Sequence, residues 1–258
     1  MSLINQLPQT IQKELKAQSF LKVISGLNNF NINSVRMISK AASLGGADLI
    51  DLAADPYLVE QVKQISNIPI CVSAVEPSLF IDCVKAGATI IEIGNFDSFY
   101  TKGITFSPEK VLQITRDTKQ LLPNVPISVT VPHNISLDLQ VNLALHLVEE
   151  GADIIQTEGG TSAKPYTAGI QGYLEKSVPT LSATYAIKQE FEKNNIENPI
   201  MSASGLSQVT CPLAITCGAS GVGVGSVINK LDNLVSMVAV IRALKESLVN
   251  SVNPQKIT

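Results

Sequence analysis

Three acidic residues recur near the ends of short apolar runs. Asp51 closes Gly46-Ala47-Asp48-Leu49-Ile50-Asp51, Glu92 closes Gly87-Ala88-Thr89-Ile90-Ile91-Glu92, and Glu158 lies two residues past Gly151-Ala152-Asp153-Ile154-Ile155-Gln156. Carboxylates gathered in a partly dry site shift one another's pKa and serve as general acids and bases. Lys22 stands inside the apolar run Leu21-Lys22-Val23-Ile24. Its amine could form a Schiff base or neutralise a carboxylate such as Glu158 or Asp51; a lysine reaching solvent from a strand's N-terminal end is the plain alternative. His133, in Val131-Pro132-His133-Asn134, is of a type that titrates near neutrality and suits proton transfer; the plain alternatives are a solvated loop residue or one that helps cap the next helix. Two glycine–serine runs, Ser202-Ala203-Ser204-Gly205-Leu206 and Gly221-Val222-Gly223-Val224-Gly225-Ser226, let backbone N–H groups approach an anion. Ser204, Gly205, Gly225 and Ser226 are the phosphate-binding candidates; tight strand–helix packing is the competing use of those glycines. His146 reads as helix surface or packing, and Lys164 as an exposed loop lysine that could close on an anion.

These residues are positioned by a repeat. The phrase of glycine, alanine, a small or acidic residue and an apolar run occurs four times, at Gly46, Gly87, Gly151 and Gly218, with spacings of 41, 64 and 67 residues. Glycine is the favoured left-handed stop just past a helix, and short β-rich runs between helical segments indicate parallel strands. Eight strand-like runs follow: Phe20–Leu27, Asp48–Ala54, Pro69–Val75, Thr89–Asn95, Pro126–Pro132, Asp153–Glu158, Pro199–Gly205 and Gly221–Ile228. Amphipathic segments separate them near 31–44, 56–66, 77–86, 107–120, 136–149, 177–194 and 209–217, and a last one spans 231–249. Leu7, Ile11 and Leu15 behind Pro8 predict a further short helix over 8–18. The pattern predicts an α/β fold, a (β/α)8 TIM barrel with a short N-terminal extra helix, as one domain over residues 1–258 with its strands within 20–228. The irregular stretch Gly159–Gly172 reads as a mobile loop or lid.

In such a barrel alternate strands fill the interior in layers, and active sites lie at the C-terminal end. With Glu92 pointing inward, the even strands contribute an apolar lower layer of Leu49, Ile90, Ile154 and Gly221. Above it lie Asp51, Glu92, Gln156 and Gly223, then Ala53, Gly94, Glu158 and Gly225. Polarity rises toward the C-terminal ends while side-chain volume falls, which describes a cavity with acidic walls. A register shift of one residue would instead turn Asp51 and Glu92 outward against the helices, where each would need a partner.

Hydrophobic residues make up 45% of the 258 and charged ones 16%, a composition for a large core rather than disorder. A net charge of −3 gives no electrostatic reason to bind nucleic acid, and no apolar run reaches the roughly 18 residues of a membrane span. Neither is expected as a partner. Cys71, Cys83, Cys211 and Cys217 form no CxxC or Cys/His cluster, so free thiols and no metal are expected. The N-terminus has neither the charged and apolar regions of a secretory signal nor the arginines of a transit peptide. Sixteen lysines against three arginines reflect A+T-rich codons. Serine-hydrolase elbows, Walker motifs and HExxH do not occur, and Gly-Val-Gly-Val-Gly lacks the context of a dinucleotide fingerprint.

The chain resembles a family of conserved chloroplast reading frames of algal plastids and cyanobacteria. The similarity runs from Phe20-Leu21-Lys22-Val23-Ile24-Ser25-Gly26-Leu27 to Gly223-Val224-Gly225-Ser226. It is concentrated in Ala53-Ala54-Asp55, Ile93-Gly94-Asn95-Phe96-Asp97, Thr130-Val131-Pro132-His133 and Gln156-Thr157-Glu158-Gly159-Gly160. This resemblance implies a TIM-barrel-type fold and the chloroplast stroma, and no particular activity. The ends of strands seven and eight also look like those of phosphate-binding barrels such as the tryptophan synthase α-subunit and thiamin-pathway enzymes, an analogy of fold only.

Three functions fit these residues. The first is a metal-independent lyase, isomerase or condensing enzyme acting on a small phosphorylated metabolite. It would use Lys22, Asp51, Glu92, His133 and Glu158 as acid–base or cationic groups. The second is a non-catalytic metabolite sensor or assembly protein, and the third an FMN-binding protein using the same phosphate loops. Substrate, cofactor and oligomeric state are left open by the sequence.

Overall fold

The computed structural model describes residues 2–159 and 163–252. Eight parallel strands close into a barrel in sequence order: β1 (Phe20–Ile24), β2 (Leu49–Ala53), β3 (Ile70–Ala74), β4 (Ile90–Ile93), β5 (Ile127–Val131), β6 (Ile154–Thr157), β7 (Ile200–Ala203) and β8 (Gly221–Val224). The ring is sealed where Phe20 of β1 faces Gly221 of β8. The helices are α1 (Gln9–Lys16), α2 (Ile32–Gly45), α3 (Pro56–Lys63), α4 (Phe80–Ala86), α5 (Asp97–Tyr100), α6 (Pro108–Leu121), α7 (Leu137–Glu149), α8 (Gly169–Lys193), α9 (Cys211–Thr216), α10 (Ser226–Asn229) and α11 (Leu234–Val252).

The repeated phrase has a structural meaning at each residue. Gly46, Gly87, Gly151 and Gly218 all have φ between +83° and +114°, the left-handed turn that glycine makes without a Cβ clash. The acidic residue that follows in two copies satisfies the first amides of the sheet. Asp48 accepts from Leu21 N at 2.8 Å and Asp153 from Ile127 N at 2.9 Å. Strand residues with outward side chains, such as Val23, Ile50, Leu52, Ile91, Val129 and Val222, are fully buried against the helices.

The inward register holds, because side chains from four strands meet at Glu92. Below that layer, Phe20, Leu49, Cys71, Ile90, Ile154 and Met201 form an apolar plug. Leu7, Ile11 and Leu15 join it, so α1 stoppers the N-terminal end of the barrel. The four cysteines are free thiols. Among the described residues no helix is long and apolar enough to cross a membrane.

Two expectations are corrected. Residues 169–172 of the irregular stretch belong to α8, which begins at Gly169 rather than 177 and runs through Pro179. Helical patterning upstream of Pro179 was obscured because an interior proline forfeits one helical hydrogen bond and ordinarily marks a helix boundary. Part of that stretch, 160–162, lies outside the described residues. Two short helices, α5 and α10, also interrupt segments read as strand end or loop. Both stand at the C-terminal end of the barrel.

Candidate functional site

The middle layer is a closed charge cluster. Lys22 Nζ donates to Glu92 Oε2 and to Gln156 Oε1. Glu92 also accepts from Gln156 Nε2 at 2.7 Å and Ser128 Oγ at 3.1 Å. Asp51 accepts from Ser73 Oγ at 2.6 Å. Asn95 covers the cluster, its Nδ2 3.3 Å from Glu92 Oε1 and 3.4 Å from Asp51 Oδ2. Gly223 of β8 lies beside Lys22, where a Cβ would come within 3.0 Å of Ala203 Cβ and 3.1 Å of Ile24 Cδ1 and would be in ordinary contact with Lys22 Cε at 3.4 Å. Burial works to neutralise the Lys22 amine, but Glu92 and Asp51 outweigh it and hold its pKa above the ordinary value. An ammonium cannot attack a carbonyl, so these contacts fit the neutralising role rather than the Schiff base. The carboxylate it neutralises first is Glu92, not the Asp51 or Glu158 expected from sequence. Burial, then the charge of Glu92, pushes Asp51 up to about 7.

A second cluster lies above, at the C-terminal mouth. Glu158, the residue just past the end of β6, accepts from Tyr100 Oη at 2.6 Å and from the backbone N–H of Asp97 at 3.2 Å. His133 Nδ1 is 3.3 Å from Glu158 Oε1 and 3.4 Å from Asp97 Oδ1. Ser204 Oγ donates to Asp97 Oδ2 at 2.7 Å. Burial raises the Glu158 carboxyl above its ordinary pKa; the hydrogen bond from His133 opposes this and the charge of Asp97 adds to it. For His133, burial lowers the pKa, but its hydrogen bond with Glu158 and the two carboxylate charges leave it raised. One ligand atom each from Asp97, His133 and Glu158 lies within 4.8 Å of the others, a spacing at which, among the described residues, this trio could hold a metal ion.

Between the mouth cluster and the ends of β7 and β8 opens a cavity of about 370 Å³. Ser204, Gly205, Gly225 and Ser226 line it together with Asp97, Glu158 and Lys230, and Gln156 lies at its base. Local geometry builds these loops. Ser204 and Gly205 are both left-handed, at φ +71° and +75°, an uncommon state for serine. Thr180 of α8 holds that turn, its Oγ1 donating to Ala203 O at 2.8 Å and Ser204 O at 3.0 Å. Asn229 of α10 donates to Ile24 O at 3.0 Å and Ser25 O at 3.1 Å, tying the β8 loop to β1.

The structure thus divides the sequence-derived residues. Glu158 and the four loop residues share the cavity wall, and His133 touches Glu158. Lys22, Asp51 and Glu92 lie together in the buried layer and do not line the cavity. His146 sits in α7, and Lys164 has no part in these clusters. Asp97, Tyr100 and Thr180 fall outside the strand layers that the sequence pattern defines. Asp97 stands two residues past Asn95, on a helix of a single turn that leaves no periodic signal.

A closed parallel barrel with its polar groups gathered at the C-terminal end defines the TIM-barrel class. Solved structures agree with it. Thiamine phosphate pyrophosphorylase from Pyrococcus furiosus aligns with a TM-score of 0.58 at 18% identity, covering 93% of this chain and 99% of that one. For 3-hexulose-6-phosphate synthase the TM-score is 0.62 at 14% identity, covering 88% and 99%. A (S)-3-O-geranylgeranylglyceryl phosphate synthase from Thermoplasma acidophilum, in complex with its substrate sn-glycerol-1-phosphate, gives 0.60 at 14% identity, covering 92% and 97%. At such identities the likeness shows the fold alone.

Within that class the chain belongs to the family described as "Protein of unknown function (DUF561)", which matches residues 4–254. It is similar to the "Uncharacterized protein ycf23" of Cyanophora paradoxa, with 45% identity over 229 residues, 88% of this chain and 92% of that protein. The Porphyra purpurea protein of the same name is 39% identical over 246 residues, 95% of this chain and 91% of its own length. These relatives are plastid-encoded, which agrees with the resemblance to chloroplast reading frames.

Proposed function

We propose that this protein binds a small phosphorylated metabolite in the cavity at the C-terminal mouth of the barrel. The phosphate would rest against Ser204, Gly205, Gly225 and Ser226, and the remainder would face Asp97, His133 and Glu158. The observation that carries this reading is that one cavity is lined both by the two glycine–serine loops and by buried carboxylates. Barrels of this kind frequently hold phosphates between the loops after strands seven and eight, beside a short extra helix. Here α10 is such a helix, beginning at Ser226. The names of the three solved relatives in fold all refer to phosphorylated compounds, which supports the reading without specifying the compound.

The groups facing the rest of the ligand suit lyase, isomerase or condensation chemistry, in which a proton moves or a bond breaks beside an oxygen function. The buried Lys22–Glu92–Asp51 layer serves as a rigid polar floor that positions Gln156 and Asn95. We place the protein's work in the plastid stroma, since its relatives are plastid-encoded.

The test is calorimetry with inorganic phosphate and with ribose 5-phosphate, on the wild type and on Ser226→Asp. A carboxylate at 226 would repel the bound phosphate. Binding of either probe that weakens in the variant supports the site. Equal binding in both proteins, or no binding to the wild type, overturns it.

A further inference from the structure

His133 Nδ1 faces two carboxylate oxygens at nearly equal distance, 3.3 Å to Glu158 Oε1 and 3.4 Å to Asp97 Oδ1. A divalent cation with ligands at about 2.0–2.2 Å holds adjacent donors roughly 3.0–3.5 Å apart. Both distances from the imidazole fall in that range, and the three donor atoms lie within 4.8 Å of one another. The outer contacts of the trio have the form that orients metal ligands. Ser204 Oγ takes Asp97 Oδ2, and the Asp97 N–H takes Glu158 Oε2. Each carboxylate thus keeps its other oxygen toward the imidazole. Tyr100 fixes Glu158 further through Oε1.

The trio is also buried, Glu158 being 3% and Asp97 9% exposed. Charged groups so placed need hydrogen bonds or counter-charge, and Ser204 Oγ, Tyr100 Oη and the His133 ring meet them here. A divalent cation bound to a neutral imidazole would balance both carboxylates.

We infer that Asp97, His133 and Glu158 form a binding site for one divalent transition-metal cation at the wall of the cavity. Two carboxylate oxygens and one imidazole nitrogen are a mixed hard and borderline donor set, suited to Mn²⁺ or Zn²⁺ more than to Ca²⁺. Asp97 and Glu158 line the cavity, so a bound ion would come within reach of an oxygen of a ligand there. There the ion would polarise that oxygen as a Lewis acid. The site shares the cavity of the phosphate reading but uses different residues for binding, and it is tested with no phosphate present. Either can fail while the other stands.

The experiment is Mn²⁺ binding by electron paramagnetic resonance, and Zn²⁺ binding by calorimetry, on chelator-treated protein in phosphate-free buffer. One ion per chain is expected in the wild type. Affinity should fall at least about tenfold in Glu158→Gln and His133→Gln, and by a similar or smaller factor in Tyr100→Phe, which removes only an outer hydrogen bond. Circular dichroism identifies which variants fold, and Tyr100→Phe keeps the test open if the ligand variants do not. Absence of stoichiometric Mn²⁺ and Zn²⁺ binding in the wild type overturns the inference. So does binding that is unchanged in the folded variants.

Discussion

Lys22 of β1 and Glu92 of β4, 70 positions apart in sequence, form an ion pair inside the barrel with side chains 3% and 0% exposed. This pair, rather than any local propensity, links the two sides of the polar layer. Everything above it is arranged on a floor whose charges are already partnered.

Removing the cation should therefore be far worse than removing the pair. Lys22→Met leaves Glu92 buried and uncompensated, and a loss of about 3–5 kcal/mol is expected. The double variant Lys22→Met, Glu92→Gln should recover most of it. Urea unfolding of both proteins checks this; a Lys22→Met loss under about 1 kcal/mol would show that the pair does not anchor the layer.

Asp51 makes stability depend on pH. Its pKa in the folded protein is raised to about 7 from 3.8. Between those values the folded state binds the proton and the unfolded state does not. Its contribution is fully present below about pH 4 and is lost as pH rises through 7, with a slope of up to about 1.4 kcal/mol per pH unit. The Asp51→Asn variant lacks that term. The difference in unfolding free energy between variant and wild type should move in the variant's favour from pH 5 to pH 8. A difference that stays flat would mean Asp51 is ionised throughout.

Much of this was legible because it follows from repetition. The Gly-Ala phrase placed four strands in common register, so Leu49, Ile90 and Ile154 could be assigned to the lower layer, where they lie. Asp51, Glu92 and Gln156 could be assigned to the layer above, where they also lie. The odd strands carry no such phrase, so Ser73 and Ser128 were not aligned with the acids they serve. Lys22 was noticed but not its partner, because the sequence does not show how far a side chain crosses the barrel. Asp97 and Tyr100 escaped for another reason. They ride on one helical turn, too short for periodicity to register, and acquire meaning only beside Glu158 and His133.

Thr180 is expected to act as a positioning residue. Thr180→Val keeps the shape of the side chain and removes the hydroxyl that holds Ala203 O and Ser204 O. A stability loss of about 1–2 kcal/mol is expected, together with weaker binding of inorganic phosphate, since the left-handed Ser204-Gly205 turn loses its restraint. Unfolding curves and calorimetry on one preparation separate the two effects. Unchanged phosphate affinity would restrict Thr180 to packing.

On the function proposed above, the cavity over the Lys22–Glu92 floor holds an anion between the ends of β7 and β8. The most direct measurement is a crystal structure of the protein soaked in inorganic phosphate. A phosphate is expected within hydrogen-bonding distance of the backbone N–H groups at Gly205 and Ser226, inside the cavity that Glu158 lines. A well-ordered cavity without phosphate at saturating concentration, or phosphate bound only elsewhere on the barrel, would contradict it.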